Sequence, residues 1–503
     1  MTDLSDRAGL ARQADNSPKA LSLPVLLSAA LVFAEAAFAP SSAASDFSLP
    51  EPGEALSGGA ATSTRTPDRN AFSHSSANLA FEKRLDFRVG DGVFRKLWVS
   101  SPASTKSSDG LGPLYNARAC QRCHVRDGRG HPPSGPEDGA VSLLLRLSIP
   151  PRDEAEQVAL ESGRLGAVPD PVYGGQLQDF AIQGHDAEGR IAIAYEEIPV
   201  TLADGTQVSL RKPHYRVEKT AFGPLHSEVR ISPRVASPMI GLGLLELVPE
   251  ARILAAADPD DRDGDGISGR PNRVWSEERG LVMLGRFGWK AGQPTVRQQV
   301  AAAFSGDMGL GTSLFPDGAG DCTEAQTDCR AAPNGNGPRP DNLEVSDRLL
   351  DLVTFYSRHL AVPARRDVGA PQVLDGKRLF HEAGCAVCHS PVMVTGDSER
   401  NPELAHQTIR PYSDLLLHDM GEGLADHSPE AAADGREWRT PPLWGIGLTA
   451  LVSGHSRFLH DGRARNLLEA VLWHGGEAQA ARDAVVAMET EERAALLRFL
   501  ESL

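Results

Sequence analysis

Two short segments of the chain carry the same arrangement of cysteine and histidine. The pattern C-x-x-C-H occurs at Cys120, Cys123 and His124 and again at Cys385, Cys388 and His389. Two thiols at this spacing on one helical turn can add to both vinyl groups of a haem, and the adjacent His then ligates the iron. A disulfide or zinc pair is the alternative, but no second C-x-x-C or H-x-x-x-H lies near either motif to complete a zinc site. The sequence therefore predicts two covalently bound c-type haems.

Three alternating acidic residues, Asp261, Asp263 and Asp265, begin a second pattern, D-x-D-x-D-G. Alternate carboxylates can converge on one calcium ion while Gly266 permits the sharp turn. Counting twelve positions from Asp261 ends at Asn272 rather than at Glu, so the bidentate closing ligand is missing or comes from elsewhere. A solvated acidic turn is the alternative to this calcium site.

Two further cysteines, Cys322 and Cys329, have no adjacent histidine. In an oxidising compartment we expect them to form a disulfide that closes a Gly- and Pro-rich loop. Free reactive thiols are the alternative.

Apolar residues at helical spacing lie on both sides of the second motif. They are Leu374, Leu379 and Phe380 before it and Leu496, Phe499, Leu500 and Leu503 at the C-terminus. A helix, a haem-binding turn and a closing helix that crosses the first make a cytochrome c domain. For the first motif, Ser346 can cap a similar closing helix that ends before Pro363. Residues 361–370 are then the linker between two haem domains.

A stretch with strand periodicity lies between the two motifs. Every odd position from Val141 to Ile149 is apolar, which is the period of a half-buried strand. Further candidate strands cover 178–183, 191–198, 206–211 and 214–219. We expect residues 141–230 to form a small β-rich insertion in the first haem domain, which either shapes substrate access or braces the domains.

Length and composition set the remaining limits. A chain of 503 residues is too long for one core, and we expect a mainly α fold with haem domains at 81–360 and 361–503. Lys plus Arg is 51 against 67 Asp plus Glu, a formal net charge of −16, which argues against a nucleic-acid binder. The acidic total suits a cationic protein partner.

The N-terminal region predicts export. Lys19 precedes the apolar run 21–34, and small residues follow it, as in a secretory signal peptide over residues 1–44. The run is too short for a membrane span, so we expect no stable membrane insertion after cleavage; an uncleaved anchor is the alternative. Residues 45–80 are rich in Ser, Gly, Ala and Pro, which predicts a flexible lead-in segment before the first haem domain.

From about residue 80 to its end, the chain resembles the di-haem oxidoreductase family of peroxidase-like proteins, also called thiol oxidoreductases. The stretches that carry the resemblance include DGLGPLYNARACQRCHVRDGRG, DRDGDGISGRPNRV, HEAGCAVCHSP and FLHDGRARNLLEAVLWHGGEA. This family is related to bacterial di-haem cytochrome c peroxidases, whose calcium ion between the haem domains favours the calcium interpretation above. The resemblance implies a haem oxidoreductase, and the predicted export signal together with the two C-x-x-C-H motifs implies a periplasmic location.

The resemblance also implies axial ligands for the second haem. In the related peroxidases a Met follows an FHDG-like turn, and that Met falls at His474 here, so we expect His389 and His474 as the two ligands. An imidazole in place of Met lowers the haem potential. The alternatives are that His474 only caps a helix, or that Met420 is the ligand.

The first haem has a weaker counterpart of this segment. The segment GRFGWKAGQPTVRQQVAAAFSGDMG can be aligned with the second segment so that Ser305 corresponds to His474. Because Ser is a poor iron ligand, we expect the face of the first haem opposite His124 to be vacant or water-filled. By spacing, Gln299 and Asp307 match the residues that position peroxide and move its proton in the peroxidases. The alternatives are a helix-surface Gln299, a turn residue at Asp307, and Met308 as an iron ligand.

The expected function is therefore peroxidase-like. Electrons would enter at the second haem from a small redox protein such as a cytochrome c and pass to an open first haem, where peroxide or another small oxidant reacts. Trp289 or Trp444 would lie between the haems or simply in the core. The alternatives are a pure electron-transfer cytochrome with no peroxide chemistry, and a haem enzyme that oxidises a protein residue or a sulfur compound.

Overall fold

A computed structural model of the chain describes residues 47–135, 138–337 and 342–503. The helices are α1 Arg84–Phe94, α2 Cys120–Cys123, α3 Glu154–Glu161, α4 Leu242–Glu246, α5 Glu250–Leu254, α6 Val296–Met308, α7 Thr327–Ala331, α8 Asp347–Arg358, α9 Pro371–Glu382, α10 Thr449–Ser453, α11 Leu467–Leu472, α12 Gln479–Ala487 and α13 Thr490–Ser502. The strands are β1 Val99–Ser100, β2 Asp109–Leu111, β3 Leu114–Tyr115, β4 Leu143–Ser148, β5 Phe180–Ala181, β6 Arg190–Thr201, β7 Gln207–Glu218, β8 Arg230–Val235, β9 Arg273–Ser276, β10 Leu281–Leu284, β11 Met393–Val394, β12 Thr408–Ile409, β13 Leu417–Asp419 and β14 Glu437–Arg439.

This arrangement corrects the expectation of a mainly α fold. Strands β6 and β7 have 12 residues each, about as long as the longest helices, and the described strands form two-stranded sheets. The fold is therefore mixed, because many connections that the sequence indicates only as Gly- and Pro-rich loops contain short paired strands.

Two crossing helix pairs lie beside the two C-x-x-C-H motifs. α1 packs on α8 at Gly90, where a Cβ atom would overlap the α8 backbone and the Cβ of Tyr356. α9 packs on α13 at Gly376, where a Cβ atom would overlap the α13 backbone and the Cβ of Phe499. The helices around the second motif follow the predicted pattern, and the same close approach at a glycine occurs in both halves.

The β-rich insertion is present, with a different division into strands. β4 pairs antiparallel with β8, and β6 pairs with β7 in a long hairpin from Thr201↔Gln207 to Arg190↔Glu218. The candidate strands 206–211 and 214–219 are one continuous strand, β7. The hydroxyl of Tyr215 donates to Asp461 Oδ2 at 3.0 Å, so the hairpin contacts the second half of the chain as a brace would.

Residues 47–80 are packed rather than flexible, which corrects the predicted lead-in. Phe72 and Leu79 are buried in the largest core cluster. The predicted linker is also buried: Val362 lies in the same core, and Arg365 forms an ion pair with Glu54 inside the protein. Residues 46–503 form one compact unit, with the expected domain boundary inside it.

The predicted signal peptide lies outside the described residues. In the described part of the chain, the helices are all too short or too polar to cross a bilayer.

Candidate metal centres and the cavities beside them

The first motif presents a histidine that is ready to bind a metal. α2 contains both cysteines, and His124 follows it with Nδ1 at 2.8 Å from the carbonyl oxygen of Ser237. A carbonyl oxygen only accepts, so Nδ1 carries the proton and Nε2 keeps its lone pair. Burial lowers the pKa of His124 to about 4, so the ring is neutral at physiological pH.

The second motif repeats this arrangement. Nδ1 of His389 donates to the carbonyl oxygen of Tyr412 at 2.9 Å, which again leaves Nε2 free. Burial is the main cause that lowers the pKa of His389 to about 4. Both histidines therefore have the tautomer and the neutral charge that an iron ligand needs.

The cysteines of each motif line a cavity. Cys120 and Cys123 border a cavity of about 550 Å³, called here the first cavity, and Cys385 and Cys388 border one of about 250 Å³, the second cavity. Burial raises the pKa of both Cys120 and Cys385 to about 12, so these groups are uncharged thiols rather than thiolates. Neutral thiols beside an apolar cavity and a free imidazole fit thioether attachment of a haem better than a zinc site.

The second cavity holds another prepared imidazole. His474 borders it together with His389, and Nδ1 of His474 donates to the carbonyl oxygen of Ala470 at 2.8 Å. Burial lowers the pKa of His474, so its Nε2 is also an available ligand. Met420, the rival ligand, borders the same cavity.

Two histidines near the second cavity were not assigned from the sequence. His418 donates to Asp414 at 2.8 Å and to Glu477 at 2.6 Å. Burial opposes protonation, yet hydrogen bonds to Asp414, Cys388 and Glu477 raise the pKa of His418 to about 12. Both ring nitrogens are engaged by carboxylates, so neither has a free lone pair in this arrangement, although Cys388, Asp414 and His418 lie close enough together to hold a metal ion. His460 stacks on Trp438 with ring centroids 3.7 Å apart.

Helix α6 presents one face to the first cavity. Gln299, Ala303 and Asp307, at i, i+4 and i+8, border the cavity. Ser305 does not border it, which corrects the expectation that Ser305 takes the position opposite His124. A helix turns by 3.6 residues, so Ser305 lies about halfway round from the face that carries Ala303 and Asp307.

The local structure shows how the two segments correspond. A bridge pairs Phe287 with Gln293 before α6, and another pairs Phe458 with Ala464 before α11. The N-cap side chain then accepts from the third helical N–H in each case, Thr295 at 3.1 Å and Asn466 at 2.9 Å. Eight residues after the cap stands Ala303 in the first segment and His474 in the second. The first cavity thus has a methyl group where the second has an imidazole.

Asp307 is the acid on the face of α6 that borders the first cavity, which Glu277 and Glu430 border from other segments. Its Oδ1 accepts a hydrogen bond from Gln176 Nε2 at 2.9 Å, and Gln176 also donates to Asn116 at 2.5 Å. Burial raises the pKa of Asp307, while Arg146 and Gln176 act in the opposite direction. Gln299 borders the same cavity, so both residues that were expected to handle peroxide lie on its wall, about 12 Å apart along α6.

Met308 and the two tryptophans, Trp289 and Trp444, also lie beside the cavities. Met308 is 1% exposed and borders the first cavity while packing in the core. Residues that border both cavities form what we call the shared wall: Arg129, Pro238, Trp289, Arg439, Pro441, Pro442 and Trp444. Trp289 and Trp444 are therefore core residues that lie between the two cavities.

The remaining predicted sites lie elsewhere. Carboxylate oxygens of Asp261, Asp263 and Asp265 lie within 4.8 Å of one another on an exposed turn. Asn272 is buried and donates to the carbonyl oxygen of Lys290, so the twelfth position faces the interior. The calcium site stays a prediction.

Cys322 and Cys329 are joined in a disulfide.

Comparison with known proteins gives the family. The family described as "Di-haem oxidoreductase, putative peroxidase" matches residues 53–503. A search of curated protein sequences found no match. Among solved structures, a chain of Kuenenia stuttgartiensis hydrazine synthase pressurized with xenon is 15% identical, with 53% of this chain and 88% of that chain covered and a TM-score of 0.22, too low to establish a shared fold. Since the family match includes both C-x-x-C-H motifs and both cavities, this chain belongs to the di-haem oxidoreductase family.

Proposed function

We propose that the protein binds two covalent c-type haems and works as an exported, peroxidase-like oxidoreductase. The observation that carries the proposal is the difference between the cavities: the position filled by His474 in one is filled by Ala303 in the other. A site with imidazoles on both sides suits electron transfer, whereas a site with one open side suits reaction with a small oxidant.

The residues that would hold the cofactors follow from this geometry. Cys120, Cys123 and His124 would hold the first haem. Cys385, Cys388, His389 and His474 would hold the second. When bound, the haems would supply the redox chemistry of peroxide reduction, in which hydrogen peroxide, two electrons and two protons give two water molecules.

The chain's own residues would handle the protons. Asp307 faces the cavity beside the open position, and its carboxylate can accept a proton from one peroxide oxygen and return it to the oxygen that leaves as water. Gln299, one helical turn from Ala303 on the same face, can orient the peroxide by hydrogen bonding. Ala303 leaves the space that peroxide needs.

The electron donor would be a small redox protein such as a cytochrome c. Electrons would enter at the second centre and cross the shared wall, where Trp289 and Trp444 border both cavities. The formal net charge of −16 suits a basic donor, and c-type haem attachment suits the periplasm.

Spin-state spectroscopy with a turnover assay tests the proposal. Purified haem-loaded protein is examined by electron paramagnetic resonance, and peroxide consumption is followed with reduced cytochrome c as donor. We expect one high-spin and one low-spin bis-His signal, with peroxide consumed. Two low-spin signals and no response to peroxide would instead support a pure electron-transfer protein, with Met308 the nearest candidate to close the first site.

A further inference from the structure

Two arginines in the shared wall are more buried than their charge would normally allow. Arg129 is 9% exposed and Arg439 is 6% exposed, and each borders both cavities. Burial lowers the pKa of both to about 10, so both guanidinium groups remain charged at neutral pH.

Both guanidinium groups donate only to backbone carbonyl oxygens. Arg439 donates from Nε to Gly288 at 2.9 Å and from a terminal nitrogen to Thr440 at 3.0 Å. Arg129 donates to Leu459, and its Nε is buried without a hydrogen-bond partner in the described part of the chain. The guanidinium of Arg129 also lies 5.1 Å from the ring centroid of Trp289.

Neither charge has an acidic partner in direct contact, and only the longer-range charges of Asp461 on Arg129 and Asp414 on Arg439 oppose the effect of burial. Across residues 47–135, 138–337 and 342–503, no carboxylate oxygen lies within 4 Å of Arg129 or Arg439. Other buried arginines do have one: Arg463 pairs with Asp461 at 2.8 Å, and Arg365 pairs with Glu54. A buried charge without a contacting partner is destabilising, so these two positions favour an anion in direct contact, which the described residues do not provide.

We infer that Arg129 and Arg439 bind the propionate carboxylates of the two haems and form an anion-binding wall between the centres. The inference rests on the haem content proposed above. Each haem carries two carboxylates, and the cysteine attachments confine each macrocycle to a cavity that both arginines border. A guanidinium is suited to this role because it stays charged and binds carboxylates through two parallel hydrogen bonds.

The midpoint potentials of Arg129→Gln and Arg439→Gln test the inference. A nearby cation favours the reduced haem over the more positive oxidised one, so its removal lowers the potential. At the wild-type midpoint potential, we expect the ratio of reduced to oxidised haem to fall at least ten-fold, which is about 59 mV for one electron. Arg129→Lys and Arg439→Lys keep the charge but lose the two parallel hydrogen bonds, so we expect the potential to fall, though by less than in the Gln variants.

Arg493→Gln is the matched control. Arg493 is also buried, but it pairs with Asp204 and borders neither cavity, so its loss should reduce stability and leave both potentials unchanged. If the Gln variants do not fold, the Lys variants decide: a potential below that of the wild type supports bidentate binding, and an unchanged potential contradicts it.

Two further outcomes distinguish a failure of this inference from a failure of the proposed function. Denatured protein without covalently bound haem would contradict the proposed function itself, whereas two bound haems with unchanged potentials in the Gln variants would contradict only the role of the arginines. A wild-type potential that depends on added acetate or chloride would show that the wall binds free anions, and would overturn the assignment to propionates.

Discussion

The two cavities are built on the same local plan and differ at one decisive position. Each is bordered by a helix that follows a bridged turn and a polar N-cap, and each faces a histidine whose Nδ1 donates to a backbone carbonyl. Eight residues after the cap, the first has Ala303 and the second has His474. A single side chain therefore separates a site open on one face from a site that offers two imidazoles.

The surroundings differ in the same direction. Asp307 lies one helical turn after the open position of the first cavity. Gln176 donates a hydrogen bond to its carboxylate, and the positive charge of Arg146 lowers its pKa. In the second segment the matching place, twelve residues after the N-cap, holds Ala478 instead of an acid. Glu477, His418 and His460 also border the second cavity, so the cavities differ in where their titratable groups lie, not in whether they have them.

Removing one pair of attachment thiols should have the largest effect. We expect Cys120→Ala/Cys123→Ala to lose one covalent haem and keep the other, because each pair lies in its own cavity. The mass of the denatured chain measures this directly. Cys322→Ser/Cys329→Ser, which removes only the disulfide, should retain both haems, and loss of both haems from the first variant would contradict separate centres.

Ala303→His should convert the first cavity into a copy of the second. An imidazole at this position can close the open face, so we expect peroxide consumption to fall to background and the high-spin signal to become low-spin. Ala302→His is the matched control, because position 302 lies next to Ala303 but does not border the cavity. Equal activity in the two variants would show that the correspondence between Ala303 and His474 is wrong.

His474→Ala is the reciprocal change. We expect the low-spin bis-His signal to disappear and the potential of the second haem to change, because a ligand is lost. Peroxide reduction driven by the cytochrome donor should slow, while direct reaction of the reduced protein with peroxide continues. A low-spin signal that persists in this variant would assign the ligand to Met420 instead.

Asp307→Asn tests proton transfer in the first cavity. General acid–base catalysis contributes roughly 10²–10⁴-fold, so we expect peroxide turnover to fall by about that factor with both haems retained. The carboxylate must be deprotonated to accept a proton, so wild-type turnover should rise with pH through the raised pKa of Asp307. In Asp307→Asn the rise of turnover with pH should be absent. A pH profile like that of the wild type would show that Asp307 is not part of the mechanism.

The attachment motifs were readable from the sequence because their chemistry requires adjacent residues. A haem needs two thiols and a histidine on one turn, so Cys120 to His124 and Cys385 to His389 are visible without a fold. The helix around Leu496 and Phe499 was visible for a similar reason, since its apolar period is local. The strands 206–211 and 214–219 were divided because Lys212 and Pro213 interrupt the apolar pattern, although a hairpin strand tolerates both.

The opposite face of the first cavity was less accessible to sequence reasoning. The alignment that paired Ser305 with His474 is wrong by two residues, because the sequence does not mark Thr295 as the N-cap that corresponds to Asn466. The shared wall was not found at all. Arg129 and Arg439 are 310 positions apart, and only the fold shows that, among the described residues, neither has a carboxylate oxygen within 4 Å. Pairing between distant segments, and its absence, has no signature in a single sequence.

The smallest expected effect tests how Asp307 is held. Gln176→Leu removes one hydrogen bond to Asp307, and a net hydrogen bond is worth about 1 kcal/mol, so we expect roughly a five-fold loss of turnover. That bond lowers the pKa of Asp307, so its loss should move the rising limb of the pH profile to higher pH. Gln178→Leu is the matched control, since Gln178 donates to the carbonyl oxygen of Gly306 instead. A general packing defect would reduce turnover in both variants without moving the limb, whereas a positioning role for Gln176 requires the limb to move in Gln176→Leu alone.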